Sequence, residues 1–208
     1  MARRAKIKRQ EERDKFYIIT NGKRTEYNYF TLLKSKKSIY DVTVEFTNSD
    51  PYGLVEYASR LVPESNQVWV VFDVDNSHKD GRLVQAIKLA ESNGVKCAFS
   101  NLAFEVWLID HFQKCNQYLD TDGHKRMLDK YLSEQKVGLK YDKADETVLE
   151  KYFVPNYEIA VDNAKAVFQT MMKEHIEKCG ENSRPPIWNW NSCTTVYKLV
   201  EALKLSVC

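Results

Sequence analysis

The chain has 208 residues, of which 43% are hydrophobic and 29% charged, and its formal net charge is +2. This balance is typical of a globular domain with its own core, and the scarcity of glycine and proline excludes collagen-like chains and long flexible linkers. No apolar run approaches the roughly 20 residues that span a bilayer, and the charged N-terminus has no apolar signal segment, so we expect a cytoplasmic protein without a membrane partner.

The N-terminal residues are strongly basic. Residues 1–15 carry seven lysines and arginines against three acidic side chains, a net charge of +4, which leaves −2 for the rest of the chain. We therefore define residues 1–14 as a basic arm, which either contacts nucleic-acid phosphates or is a frayed, solubilising terminus. The negative remainder argues against a broadly basic surface for duplex DNA.

Strand and helix patterns alternate over residues 15–116. Short apolar or alternating runs predict strands at 15–20, 41–47, 67–72 and 95–99, and the third run is apolar on both faces, as a central strand of a parallel sheet is. Apolar residues at helical spacing follow each strand. We predict an α/β fold in which a parallel sheet is flanked by helices.

The helix after the fourth strand has an aromatic face. Trp107, His111 and Phe112 share this face, so we expect them to pack inward, with His111 as a hydrogen-bonded structural residue. Beyond Asn116 the strand patterns fade, and helices are predicted at 122–133, 146–153, 160–175 and 196–203. We therefore predict a helical C-terminal portion over residues 117–208, packed on an α/β core over residues 15–116.

Acidic and polar residues follow three of the four predicted strands. They are Asn21 and Glu26 after the first strand, Asp73 and Asp75 after the third, and Ser100, Asn101 and Glu105 after the fourth. In an open parallel sheet, ligands bind outside the carboxyl ends of the strands. We therefore expect the four acidic residues to share one cleft at that edge.

Asp73 and Asp75 are the most informative pair. In an extended segment, residues separated by one position lie on the same face, about 6.5–7 Å apart at Cα. Their carboxylates can converge on one hard cation, and Mg²⁺ prefers such oxygen ligands. The alternative is that one aspartate caps the following turn while the other is hydrated.

Glu26 and Glu105 each have two interpretations. Glu26 is either a first-turn acid stabilised by the helix dipole or a site residue, which acts as general acid or base or as a third ligand. Glu105 lies in an apolar stretch, where it forms either a salt bridge to a lysine or arginine or part of a site. The chain has no P-loop, dinucleotide fingerprint or G-x-S-x-G elbow, so if the protein belongs to an ATP-driven system, the ATPase is another chain.

Four segments together resemble the RloB-like family. Its pattern E-G-x-x-T-E-x-x-Y-F corresponds to residues 21–30, N-G-K-R-T-E-Y-N-Y-F, and its D-x-D corresponds to residues 73–75. S-N-x-x-F-E-x-W-L-x-x-H-F corresponds to residues 100–112, and N-x-x-T-x-V-x-x-L-V to residues 191–200. The resemblance covers roughly residues 15–205, and the segment that begins at Ser100 is its most specific part.

The resemblance implies a Toprim-like fold, the catalytic module of topoisomerases, primases and OLD-type nucleases. In that module a glutamate after the first strand and a D-x-D after the third surround Mg²⁺ and a phosphodiester. The leading hypothesis is therefore a nuclease effector of phage defence that uses Mg²⁺ or Mn²⁺ to cleave tRNA, other RNA or DNA. The family is often encoded with an AAA- or ABC-type ATPase, which implies such a partner and leaves a homo-oligomer open.

The resemblance also assigns roles to residues. The catalytic set is Glu26, Asp73 and Asp75, with Glu26 as general acid or base. The metal ligands are Asp73, Asp75, Glu26 and Glu105. The substrate contacts are Asn21, Lys23, Arg24, Ser100 and Asn101, with Lys23 or Arg24 on the phosphate.

Asn21 departs from the family pattern, which has a glutamate at that position. An amide oxygen can ligate a metal, but it does not take a proton at neutral pH. Three consequences are open: Glu26 carries the acid–base role, activity is weak, or the domain is a non-catalytic subunit that docks on an ATPase or binds a nucleotide. A receiver-like phosphoacceptor domain is disfavoured, because it needs an acidic pair after the first strand.

Overall fold

The computed structural model describes residues 13–36, 38–74, 81–183, 186 and 189–205. The chain forms an α/β fold around a five-stranded sheet. The strands are β1 (Lys15–Thr20), β2 (Asp41–Phe46), β3 (Gln67–Asp73), β4 (Lys96–Asn101) and β5 (Cys193–Thr194). Their order is β2-β1-β3-β4-β5; the first four are parallel, and β5 pairs antiparallel with β4. Nearly all of the predicted basic arm lies outside the described residues.

Eight α-helices are assigned within the described residues. They are α1 (Thr25–Leu33), α2 (Pro51–Ser59), α3 (Arg82–Asn93), α4 (Glu105–Asp110), α5 (Thr121–Gln135), α6 (Glu146–Val148), α7 (Tyr157–Cys179) and α8 (Val196–Ala202). A π-helical turn, Leu149–Phe153, follows α6, and short 3₁₀ turns occur at Val62–Glu64 and Val154–Asn156. Local signals explain two of the helix ends: Asp50 caps α2 by accepting a hydrogen bond from the Gly53 N–H, and Gly94 closes α3 with φ of 75°.

The sheet separates two cores. Alternate residues of β3 point to opposite faces, so Val68, Val70 and Phe72 pack against α2 and α3, whereas Trp69 and Val71 face the helices on the other side. That second side includes α1, α4, α5, α7 and α8. The predicted parallel sheet with helices on both faces is confirmed, and so is the helical C-terminal part.

The aromatic face of α4 packs inward as expected for Trp107 and His111, which are buried. The Trp107 carbonyl accepts a hydrogen bond from His111 Nδ1 at 2.9 Å, so Nε2 is the acceptor for the Tyr29 hydroxyl at 3.0 Å. Burial lowers the pKa of His111 to about 3, which keeps the ring neutral. Phe112 is half-buried and stacks on Tyr131, with ring centroids 4.0 Å apart.

The sequence patterns missed one part of the sheet. The fading strand signals beyond Asn116 gave no strand, yet β5 returns from the C-terminal portion to extend the sheet beside β4. The hydroxyls of Ser100 and Thr194 lie 2.8 Å apart and join the two strands. No helix in the described ranges is long and apolar enough to cross a membrane.

Candidate functional site

Three of the predicted acidic residues meet at the carboxyl edge of the sheet. Glu26 lies in the first turn of α1, Asp73 ends β3, and Glu105 begins α4. All three line one cavity of about 300 Å³, with Asn21, Gly22, Lys23, Arg24, Thr25, Phe104 and Lys143. The expected cleft is therefore present for these three acids, while Asp75 lies outside the described residues.

Gly22 makes room for the Glu26 carboxylate. The Gly22 carbonyl accepts hydrogen bonds from the Tyr27 N–H at 3.3 Å and the Thr20 hydroxyl at 3.0 Å, which fixes the turn from β1 into α1. A Cβ built on Gly22 would overlap the Glu26 carboxylate. Glycine is therefore needed here for close approach of the acid to the backbone.

Glu105 is held by two residues that the sequence analysis did not identify. Its Oε1 accepts a hydrogen bond from the Tyr141 hydroxyl at 3.0 Å and lies 2.8 Å from Nζ of Lys143. The Thr25 hydroxyl donates to the Lys143 carbonyl at 3.3 Å, which anchors this segment to the start of α1. The loop between α5 and α6 thus forms one wall of the cavity and brings a cation to the acids.

Ionising all three acids of the cavity at once has a high free-energy cost. Loss of hydration, and then the charges of Glu26 and Glu105, raise the pKa of Asp73 well above its usual range, although Lys143 and a hydrogen bond from the Phe104 N–H oppose the shift. Loss of hydration also raises the pKa of Glu26, with Glu105 adding to the rise. The acids therefore require a compensating cation to be ionised together.

Lys143 supplies part of that compensation. Burial acts to lower its pKa, but Glu105, Asp73 and Glu26 outweigh this effect and raise the pKa above its ordinary value. The ammonium group is therefore held in its charged form by the acids around it.

The predicted substrate-binding residues fall into two groups. Asn21, Lys23 and Arg24 line the cavity, and the side chains of Lys23 and Arg24 are exposed at its mouth. Ser100 and Asn101 are instead buried at the end of β4, where they pair with β5, and they are not among the lining residues. The structure thus places two basic side chains at the mouth of the cavity, whereas Ser100 is the strand neighbour of Asp73 but does not line the cavity.

The carboxylate oxygens at the cavity can bind a hard cation through one or two protein ligands. Among the residues that the structure describes, no three or more His, Cys, Asp or Glu side chains are grouped so that they could hold a metal ion together. Mg²⁺ typically binds one or two carboxylates and keeps several waters. Carboxylate oxygens from Asp73 and a neighbouring acid fit that mode, and thiolate or imidazole ligands are not needed.

The family model described as RloB-like protein matches residues 16–203, which is most of the chain and confirms the resemblance inferred from the motifs. No curated protein and no solved structure matches the chain.

Proposed function

The chain belongs to the RloB-like protein family, and from this membership we propose that it is a metal-dependent nuclease of the Toprim type that acts in phage defence. The observation that carries the proposal is the meeting of Glu26, Asp73 and Glu105 in one cavity at the carboxyl edge of a parallel sheet. In this proposal Asp73 is the first aspartate of the Toprim D-x-D, and Glu26 serves as the glutamate after the first strand, because Asn21 stands where the family pattern has one. Asp75 completes the proposed D-x-D.

The proposed cofactor is Mg²⁺ or Mn²⁺, held by Asp73 with Asp75 and one of the neighbouring glutamates. When bound, such a cation polarises phosphoryl oxygens and stabilises the charge that develops on the attacking and leaving oxygens. The protein contributes a fixed set of oxygen donors, because Asp73 ends a central strand and Glu105 is pinned by Tyr141. Fixed donors avoid the cost of reorganisation when the substrate binds.

Glu26 is the proposed general acid or base. It is buried, with 7% of its surface exposed, and Gly22 leaves room for its carboxylate in the cavity. Lys23 and Arg24 follow in the same turn and reach solvent at the cavity mouth. We assign them to the phosphate groups of the substrate, because a guanidinium or ammonium group forms short charge-assisted hydrogen bonds with phosphate oxygens.

The substrate and partners are part of the proposal. The substrate is a nucleic acid, either tRNA, another RNA or DNA. The chain lacks a P-loop sequence, so ATP hydrolysis in such a system is assigned to a partner ATPase of the AAA or ABC type. A homo-oligomer is compatible with this arrangement.

A cleavage assay tests the proposal. The parent protein, Asp73→Asn and the exposed-site control Asp162→Asn are incubated with tRNA, single-stranded RNA and plasmid DNA, each with Mn²⁺ or with EDTA. The assay is repeated with the proposed partner, an ATPase of the AAA or ABC type. We expect Mn²⁺-dependent products from the parent and the control, and none from Asp73→Asn. Products that survive in EDTA or in Asp73→Asn would contradict the proposal.

One observation favours a second candidate, a non-catalytic subunit that docks on an ATPase or binds a nucleotide. Asn21 lines the cavity where the family pattern has a glutamate, so one carboxylate of the family site is replaced by a neutral amide. This candidate predicts that every variant, with or without the ATPase, leaves all three nucleic acids intact.

A further inference from the structure

Lys143 is a cation inside the acidic cavity. Its Nζ lies 2.8 Å from Glu105 Oε1, and the charges of Asp73 and Glu26 also act on it. The Glu105 side chain is 6% exposed, whereas the Lys143 side chain is 56% exposed. The pair thus joins an immobilised anion to a cation that reaches in from the solvent side.

The backbone of Lys143 is anchored although its side chain is half-exposed. The hydroxyl of the buried Thr25 donates a hydrogen bond to the Lys143 carbonyl at 3.3 Å. The hydroxyl of Tyr141, two residues before Lys143, donates to Glu105 at 3.0 Å. These contacts fix where the side chain begins. The flexible methylene stem still allows the ammonium group to turn towards water, because a lysine head on a four-carbon stem is mobile.

We propose that the Lys143 ammonium is the resident counter-cation of this cavity and that it competes with a divalent cation for the carboxylates. The inference rests on the proposed metal-dependent function. The cavity measures about 300 Å³, so a divalent ion bound there and the ammonium group would repel each other over a few ångströms. Metal binding therefore requires the ammonium to leave Glu105, and this exchange keeps the metal affinity of the free protein low.

The counter-cation role is tested first without metal. In EDTA at pH 8, Lys143→Met should lower the melting temperature by several degrees, because the three acids lose their compensating charge. Lys140→Met is the matched control, since it removes an exposed ammonium from the same loop. In a Glu105→Gln background the loss caused by Lys143→Met should shrink to less than half. The counter-cation role is overturned if Lys143→Met lowers the melting temperature equally in the parent and in Glu105→Gln. It is also overturned if that fall is no larger than the one caused by Lys140→Met.

Competition is tested by calorimetric titration with MnCl₂. Lys143→Met should bind Mn²⁺ about tenfold more tightly than the parent, a change reduced from the direct Coulomb value because the ammonium is half-exposed. Lys143→Arg, which keeps the charge, and Lys140→Met should bind as the parent does. If Asp73→Asn abolishes binding but Lys143→Met binds no more tightly than the parent, competition is overturned while the proposed metal site stands. If no variant shows Asp73-dependent binding, the metal site itself is overturned, and the competition with it.

Discussion

Replacing Asn21 with glutamate restores the acid of the family pattern at the cavity. The backbone there is compatible with the change, because the Asn21 N–H donates to the Val71 carbonyl at 3.2 Å and this bond does not involve the side chain. The new carboxylate would lie among Glu26, Asp73 and Glu105. It should therefore lower the stability of the metal-free protein, because like charges repel. It should also raise the affinity for a divalent cation, because a bound cation relieves that repulsion.

The size of the effect follows from the size of the cavity. A volume of about 300 Å³ corresponds to a sphere about 8 Å across, so the added charge lies roughly 4–8 Å from a bound cation. At about 6 Å and an effective dielectric constant of about 20, its attraction for a divalent ion is roughly 5 kcal/mol. Dehydration of the new carboxylate and ionic screening reduce the net gain to about 1–2 kcal/mol, which is roughly a 5- to 30-fold lower Kd.

The assay is calorimetric titration with Mn²⁺, paired with thermal melting in EDTA and in Mn²⁺. Asn21→Gln controls for side-chain length without charge, and Asn116→Glu adds an exposed carboxylate in the segment between α4 and α5. Only Asn21→Glu should melt at a lower temperature in EDTA, bind Mn²⁺ more tightly and recover stability when Mn²⁺ is added. If Asn21→Glu leaves Mn²⁺ affinity unchanged and Asp73→Ala also leaves binding intact, the reasoning about a shared acidic site is wrong.

Three further predictions concern the core and the turn that positions the acids. Trp107→Ala should lower the free energy of unfolding by about 3–5 kcal/mol, because the buried indole leaves a cavity; denaturant unfolding measures this, and an unchanged midpoint would refute the packing. Burial raises the pKa of Asp110, which accepts a hydrogen bond from the Cys115 N–H, to about 8. Its folded pKa therefore exceeds its unfolded pKa, which is near 4. The contribution of Asp110 to the free energy of unfolding is fully present below about pH 4 and is lost as the pH rises towards 8, at up to about 1.4 kcal/mol per pH unit. Asp110→Asn should flatten that pH profile of unfolding free energy, and an equally steep profile would count against the buried neutral acid. Gly22→Ala should displace the Glu26 carboxylate and reduce Mn²⁺-dependent cleavage at least tenfold with little change in melting temperature, whereas full activity would remove Glu26 from the proposed mechanism.

The sequence was sufficient to predict the sheet and the meeting of the acids because both depend on local signals. The apolar run of β3 requires burial on both faces, and parallel strands place their carboxyl ends at one edge. Asp73 and Glu26 follow from that rule directly. For Glu105 the sequence allowed either a salt bridge or a role in the site. The structure shows the salt bridge, which joins Glu105 to Lys143 at the cavity.

The rest of the cavity could not be predicted because it depends on tertiary contacts. Lys143 and Tyr141 reach Glu105 from a loop nearly 40 positions later in the chain, and no periodicity distinguishes them from other loop residues. The two-residue strand β5 is too short to leave a pattern, and it pairs with β4 across about 90 positions of the chain, with a hydroxyl contact between Ser100 and Thr194. The position of Glu105 in an apolar stretch indicated only that a basic side chain from another part of the chain would have to pair with it.

The most direct test of the central claim is a crystal structure of the protein soaked in Mn²⁺, with an anomalous difference map. We expect a manganese peak in the cavity, with an Asp73 carboxylate oxygen at about 2.0–2.3 Å and Lys143 Nζ moved away from Glu105. A map with no peak beside Asp73 at a Mn²⁺ concentration that saturates the calorimetric titration, or with peaks only elsewhere, would contradict it.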